Sequence, residues 1–123
     1  MTVNARVLVV EDDPANQRTM SALLSGMGHQ PTVAERGDEA LRILGTPEPL
    51  DLVISDVVMP GMSGLDFARQ ARIARPGVPI VLVTGDSEAM ESVLASGAIA
   101  LLKPYTPDTL RQVVGDSLEE RDA

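Results

Sequence analysis

Five short runs rich in aliphatic residues recur along the chain: "RVLVV" (6–10), "QPTVAE" (30–35), "LDLVIS" (50–55), "IVLVT" (80–84) and "IALL" (99–102). A strand wet on one face alternates apolar with polar residues, whereas a continuous β-branched run suits burial on both faces. The run at 30–35 is weaker, and Pro31 within it points to a sheet edge. Between the runs the period changes. Met20, Leu23, Leu24 and Met27 follow i, i+3, i+4, i+7 and predict a helix over 14–27. Asp13 suits its N-cap, Pro14 its first position and Gly28 its C-terminal stop. Further helices are expected over 37–45 (Ala40, Leu41, Leu44), 64–74, 87–96 (Met90, Val93, Leu94, closed by Gly97) and 107–121 (Leu110, Val113, Val114, Leu118).

Strand and helix alternating throughout imply an α/β fold, a doubly wound parallel sheet of five strands with helices on both faces. The length of 123 residues suits one domain, 1–123, with a real core. That core must be aliphatic, because Phe67 and Tyr105 are the only aromatic residues. The same scarcity argues against a base-stacking surface for single-stranded nucleic acid. A formal charge of −8 disfavours DNA and anionic membranes and suits a cation or a basic partner. Without cysteine there is no disulfide framework, thiolate zinc site or catalytic thiol. Neither a signal peptide nor a membrane span is read, so a soluble, cytoplasmic domain is expected.

In such sheets ligands sit beyond the carboxyl ends of the strands, so those ends carry the functional question. The first strand ends in Glu11, Asp12 and Asp13, the third in Asp56, the fourth in Thr84 and the fifth in Lys103. If the third strand lies between the first and fourth, a spacing of about 4.8 Å sets Asp56 beside Asp12 and Thr84. Converging carboxylates repel one another, and an oxygen-only set with room for water suits Mg²⁺. A cation beside a free carboxylate, a hydroxyl and an ammonium is a phosphoryl-transfer arrangement. Asp56 would be the nucleophile, with Thr84 and Lys103 on phosphoryl oxygens. Taken singly, each feature has a plainer reading: a helix cap, a turn residue, a strand threonine, a solvated lysine. Their coincidence at one end of successive strands is what carries weight.

"VLVVEDD", "DLVISDVVMPGMSGLDF", "VLVTG" and "ALLKPY" together resemble the receiver domain of two-component response regulators, of the chemotaxis-receiver kind, over essentially the whole chain. The resemblance implies a flavodoxin-like sheet of order 2-1-3-4-5. It implies a phosphoryl group taken from phosphohistidine on a histidine kinase or phosphotransfer protein, and a changed surface offered to a downstream effector. Asp56 matches the phosphoacceptor and a metal ligand, Asp12 the direct Mg²⁺ ligand, and Glu11 a ligand through water. Val58 would lend its backbone carbonyl to the metal. Thr84 matches the switch hydroxyl and Lys103 the phosphate-contacting lysine, whose bond to Pro104 would be cis. Asp13 falls in a variable position and is expected to cap the first helix. Gly61 and Gly64 would permit the tight backbone path after Asp56. By the same resemblance the domain phosphorylates itself and slowly loses the group, and is not a metabolic enzyme.

Two positions depart from the pattern. Ala100 stands where receivers usually carry the aromatic partner of the threonine switch, and Tyr105, after the proline, is read as packing. Val58 occupies a position often polar in receivers; being apolar it cannot orient water, which implies a long-lived phosphoryl group. The stretch "EDDPANQRTMSALLSGMGH" is similar to receivers of hybrid histidine kinases, so both a stand-alone regulator and a receiver cut from a longer protein stay open. The outer side of the first helix (Ala15, Arg18, Thr19, Ala22) would be the kinase-docking face. Rival readings are a flavodoxin-like mononucleotide binder, an aspartate-nucleophile phosphatase and a pseudo-receiver that only mediates contacts. The acidic triplet would repel a nucleotide phosphate, and Val58 is not the second carboxylate such phosphatases use.

Overall fold

The computed structural model describes residues 4–122. The strands are β1 (Arg6–Val10), β2 (Gln30–Ala34), β3 (Leu52–Asp56), β4 (Ile80–Thr84) and β5 (Ile99–Leu102). The helices are α1 (Pro14–Gly26), α2 (Gly37–Leu44), α3 (Gly64–Ala74), α4 (Met90–Ala95) and α5 (Pro107–Asp122). Every strand pair is parallel and the order is 2-1-3-4-5, the doubly wound sheet expected from the alternation. β2, with Pro31, does lie at an edge.

The period of two along each strand divides the aliphatic core between two faces. Leu8, Val10, Val53 and Leu82 face α2, α3 and α4, where Ala40, Leu44, Phe67, Ala71 and Val93 meet them. Val7, Val9, Leu52, Ile54, Val81, Val83 and Leu101 face α1 and α5, against Met20, Leu24, Leu110, Val114 and Leu118. Phe67 is fully buried in the first cluster, while Tyr105 packs at the margin of the second.

Three local expectations are revised. β3 begins at Leu52 instead of Leu50, because Asp51 is spent on the start of β1. Its N–H donates to the Arg6 carbonyl at 2.8 Å, and its carboxylate accepts from the Arg6 N–H at 2.8 Å. At its other end the strand includes Asp56, which pairs with Val83 of β4. The helix expected over 87–96 opens as a 3-10 turn (Ser87–Ala89), since the Asp86 carboxylate accepts from the Glu88 N–H at 2.9 Å and tightens the chain there. Asp13 holds the N-cap position but makes no capping bond with its side chain. Pro14, which has no N–H to satisfy, supplies the helical φ instead. Gly28 (φ 90°) and Gly97 (φ 85°) stop α1 and α4 in the left-handed region, as their positions predict.

Candidate functional site

The strand ends converge at the carboxyl edge of the sheet. Directly after β1, Glu11 continues the pairing: its N–H donates to the Ala34 carbonyl at 3.0 Å. Gln17, one turn into α1, donates its side-chain amide to the Glu11 carbonyl at 2.6 Å. Those bonds fix the backbone and turn the Glu11 side chain inward, where Oε2 is buried with no hydrogen-bond partner. Burial pushes the Glu11 carboxyl above the usual range. Asn16 opposes this by hydrogen bonding, the charges of Asp56 and Asp12 add to it, and Lys103 pulls it back.

Asp56 is held from two sides. Its Oδ1 accepts from the Val58 N–H at 3.1 Å, and its Oδ2 receives the Lys103 ammonium at 3.0 Å. The strand register sets Asp56 opposite Val83, with Thr84 one residue further on and opposite Leu102. Lys103 is anchored by its own N–H, which donates to the Thr84 carbonyl at 2.7 Å. Its stem then crosses the end of β4 to reach Asp56. Gly85 lies beneath it, where an added Cβ would only just touch the Lys103 stem. Burial alone would lower the lysine's pKa, but the hydrogen bond and charge of Asp56, aided by Glu11, hold it above the ordinary value. The Lys103–Pro104 peptide is cis, as the resemblance implies.

The loop beyond Asp56 closes through Gly64. Its N–H donates to the Val57 carbonyl at 2.7 Å, and a Cβ there would come within 2.6 Å of the Val57 Cα. Gly61 is required for another reason, its φ of 82°.

Glu11, Asp56 and Lys103 thus meet in one cleft of about 500 Å³, whose apolar floor is formed by Val9, Ile54 and Val83. Asp12 is exposed outside that lining, though close enough to act on the Glu11 carboxyl. Thr84 is buried, and its hydroxyl faces the next turn, accepting from the Asp86 N–H at 3.0 Å. Val58 is 79% exposed, its side chain free of the core. Asn16, Gln17 and the part played by Tyr105 in lining the cleft were not read from the sequence. Position alone offered a signal for the first two, because the opening turn of a helix that follows a strand end faces back toward it.

Among the described residues no three acidic or imidazole side chains stand together so as to hold a metal ion by themselves. Mg²⁺ does not demand one, because it keeps several waters and binds through one or two carboxylates. The donors at hand are all oxygens, and a buried Glu11 oxygen without a partner is what a hydrated cation would satisfy. The residues fit the ion.

Residues 7–115 match the model of the response regulator receiver domain. The chain belongs to the response regulator receiver family. This receiver is 38% identical over 112 residues to the DNA-binding response regulator MtrA of Mycolicibacterium smegmatis, covering 89% of this chain and 48% of that protein. It is 34% identical over 119 residues to the transcriptional regulatory protein GlrR of Escherichia coli, covering 94% of this chain and 27% of that one. The chain therefore spans about half or less of these relatives' length. Among solved structures, the Vibrio cholerae chemotaxis protein CheY4 superposes with a TM-score of 0.84 at 31% identity, over 94% of this chain and all of that one. The receiver domain of the sensor histidine kinase PA1611 from Pseudomonas aeruginosa holds a magnesium ion in its active site cleft. It superposes with a TM-score of 0.85 at 26% identity, over 95% of this chain and 99% of that one. Membership decides against the mononucleotide binder and the phosphatase. The chain folds as a receiver domain of two-component signalling, and none of its described helices is long and apolar enough to cross a membrane.

Proposed function

We propose that this receiver is a phosphorylation switch whose acceptor is Asp56. The observation that carries the reading is the Lys103 Nζ–Asp56 Oδ2 pair at 3.0 Å, poised over a cleft that also holds the buried Glu11. An Asp56 carboxylate oxygen attacks the phosphorus of a phosphohistidine on a histidine kinase or phosphotransfer protein. A P–O bond forms as the P–N bond breaks, and its electron pair returns to the imidazole nitrogen of the donor. Lys103 neutralises the phosphoryl oxygens as charge gathers on them. Thr84 would offer its hydroxyl to another of those oxygens.

Glu11, Asp12, Asp56 and the Val58 carbonyl are the groups that would hold Mg²⁺, which when bound offsets the negative charge shared by carboxylates and phosphoryl group. The donor would dock on the outer side of α1, where Ala15, Arg18, Thr19 and Ala22 are all exposed. A changed surface would then meet a downstream effector in the cytoplasm.

Intact-mass measurement after acetyl phosphate, with and without Mg²⁺, tests the assignment on the wild type and Asp56→Asn. The expected result is one phosphoryl adduct that needs both the metal and Asp56. An adduct that survives the substitution overturns the acceptor, and no adduct on the wild type leaves the pseudo-receiver reading standing.

A further inference from the structure

The family resemblance implies a report of phosphorylation through a threonine and an aromatic on the fifth strand, and at the aromatic's position this chain carries Ala100. Ala100 lies on β5 with its side chain toward the cluster packed by α2, α3 and α4. A methyl group there has no rotamer to change. Thr84 is buried with its hydroxyl engaged by the Asp86 N–H, outside the cleft lining. Of the two aromatic rings in the chain, Phe67 is sealed in the core. Tyr105 is the other. It lines the cleft together with Asp56, Lys103 and Glu11, and it packs against the opposite cluster, the one built by α1 and α5.

We propose that Tyr105 carries the state of Asp56 to the α1 and α5 side of the domain, in place of a relay through β5 to α4. The inference rests on Asp56 being the acceptor. Phosphorylation replaces one carboxylate charge with about −1.5 to −2 on oxygens further out in the cleft. The Lys103 ammonium, now 3.0 Å from Asp56 Oδ2, must leave that oxygen and follow the charge. Lys103 cannot move as a body, because its N–H is bonded to the Thr84 carbonyl. The adjustment therefore falls on the side chains that share the cleft. Tyr105 is the largest of them, and Thr19 and Met20 of α1 line the same space. Packed interiors resist continuous deformation, so a shifted ring passes its displacement to whatever touches it. Here that is the cluster containing Met20, Leu110, Val113 and Val114.

The chain suits a direct test, since Tyr105 is its only tyrosine and it has no tryptophan. Protein labelled with 3-fluorotyrosine gives a single fluorine resonance. It would be recorded with Mg²⁺ before and after acetyl phosphate, alongside intact mass. The expected result is a second fluorine resonance whose area equals the phosphorylated fraction. Amide shifts should move most in 19–20 and 109–113, and less in α4. In Tyr105→Ala, compared with the wild type at equal phosphorylated fraction by mass whatever its rate of uptake, the shifts in 109–113 fall below half of the wild-type values, while Tyr105→Phe, which keeps the ring, restores them. A phosphorylated protein with an unmoved fluorine resonance overturns the proposal, as does a Tyr105→Ala protein with the full shift pattern. If the wild type takes up no phosphoryl group, the mass alone says so, and the acceptor assignment falls together with this one.

Discussion

Lys103 Nζ stands 3.0 Å from Asp56 Oδ2, and the lysine side chain is the more exposed of the two, 40% against 16%. The pair is thus open on the side from which a phosphoryl group would arrive, and the ammonium can leave the carboxylate without crossing the core. Such a partly wet ion pair contributes little to folding, about 1 kcal/mol or less. Its effect should be on reaction. Lys103→Met is expected to leave the urea midpoint nearly unchanged while slowing phosphorylation by acetyl phosphate about 100-fold, the usual loss for one charge-stabilising donor. The time course of the mass adduct reads the rate.

Gly61 and Gly64 are three residues apart and should respond differently to alanine. At Gly64 a Cβ would be driven into the backbone of Asp56 and Val57, which cannot give way without moving the acceptor. Gly64→Ala is expected to cost about 1–3 kcal/mol, as overpacking does, and to reduce the phosphorylation rate as well. Gly61 has open space around it and only its φ of 82° to defend, so Gly61→Ala should cost about 1 kcal/mol. Urea denaturation of both variants gives the stability ranking. Equal rates of adduct formation in the two would show that Gly64 does not position Asp56.

The fold was legible because a parallel sheet buries its strands on both faces, and buried strands announce themselves as aliphatic runs. That same continuity hides the boundaries: nothing in "LDLVIS" says that Asp51 pairs with Arg6 before the ladder begins. Asp56, Lys103 and Glu11 could be named because strand ends in such sheets meet at one edge. Where side chains turn after the strand ends could not. Asp13 sits at the N-cap as expected but makes no capping bond with its side chain, the Thr84 hydroxyl faces Asp86, and Tyr105 reads as packing but also walls the cleft. Each depends on a rotamer or on contacts from a distant element, which no local pattern encodes.

His29, the only histidine, is buried at the start of β2, and its Nδ1 accepts from the Ala5 N–H at 3.1 Å. An imidazolium has no lone pair to accept with. Burial lowers the His29 pKa, with the charge of Asp51 pulling weakly the other way. The sign follows: with the folded pKa below the unfolded value of about 6.5, the unfolded chain binds more protons in the interval between them. Stability is therefore full above pH 6.5 or so and declines as pH falls through that value, by at most about 1.4 kcal/mol per pH unit. Urea midpoints from pH 7.5 to 5.5 should decline in the wild type. In His29→Gln the decline should be shallower over the same range, and parallel curves would remove His29 as the cause.

Val58 is the remaining departure with a kinetic consequence. Its N–H donates to Asp56 Oδ1, so its backbone is tied to the acceptor, while the residue is 79% exposed. An isopropyl group has neither donor nor acceptor with which to orient a water for attack on phosphorus. Hydrolysis of the acyl phosphate should consequently be slow. Val58→Asn introduces an amide that can hold such a water, and positioned polar groups of this kind contribute about 100-fold or more in favourable cases. A modest tenfold shortening of the phosphoryl lifetime is roughly what an unoptimised site should give. The substitution lies on the surface and should change stability by no more than about 0.5 kcal/mol. Decay of the mass adduct after removal of acetyl phosphate measures the lifetime. Equal decay in the two proteins would mean that access of water, and not its orientation, limits the loss.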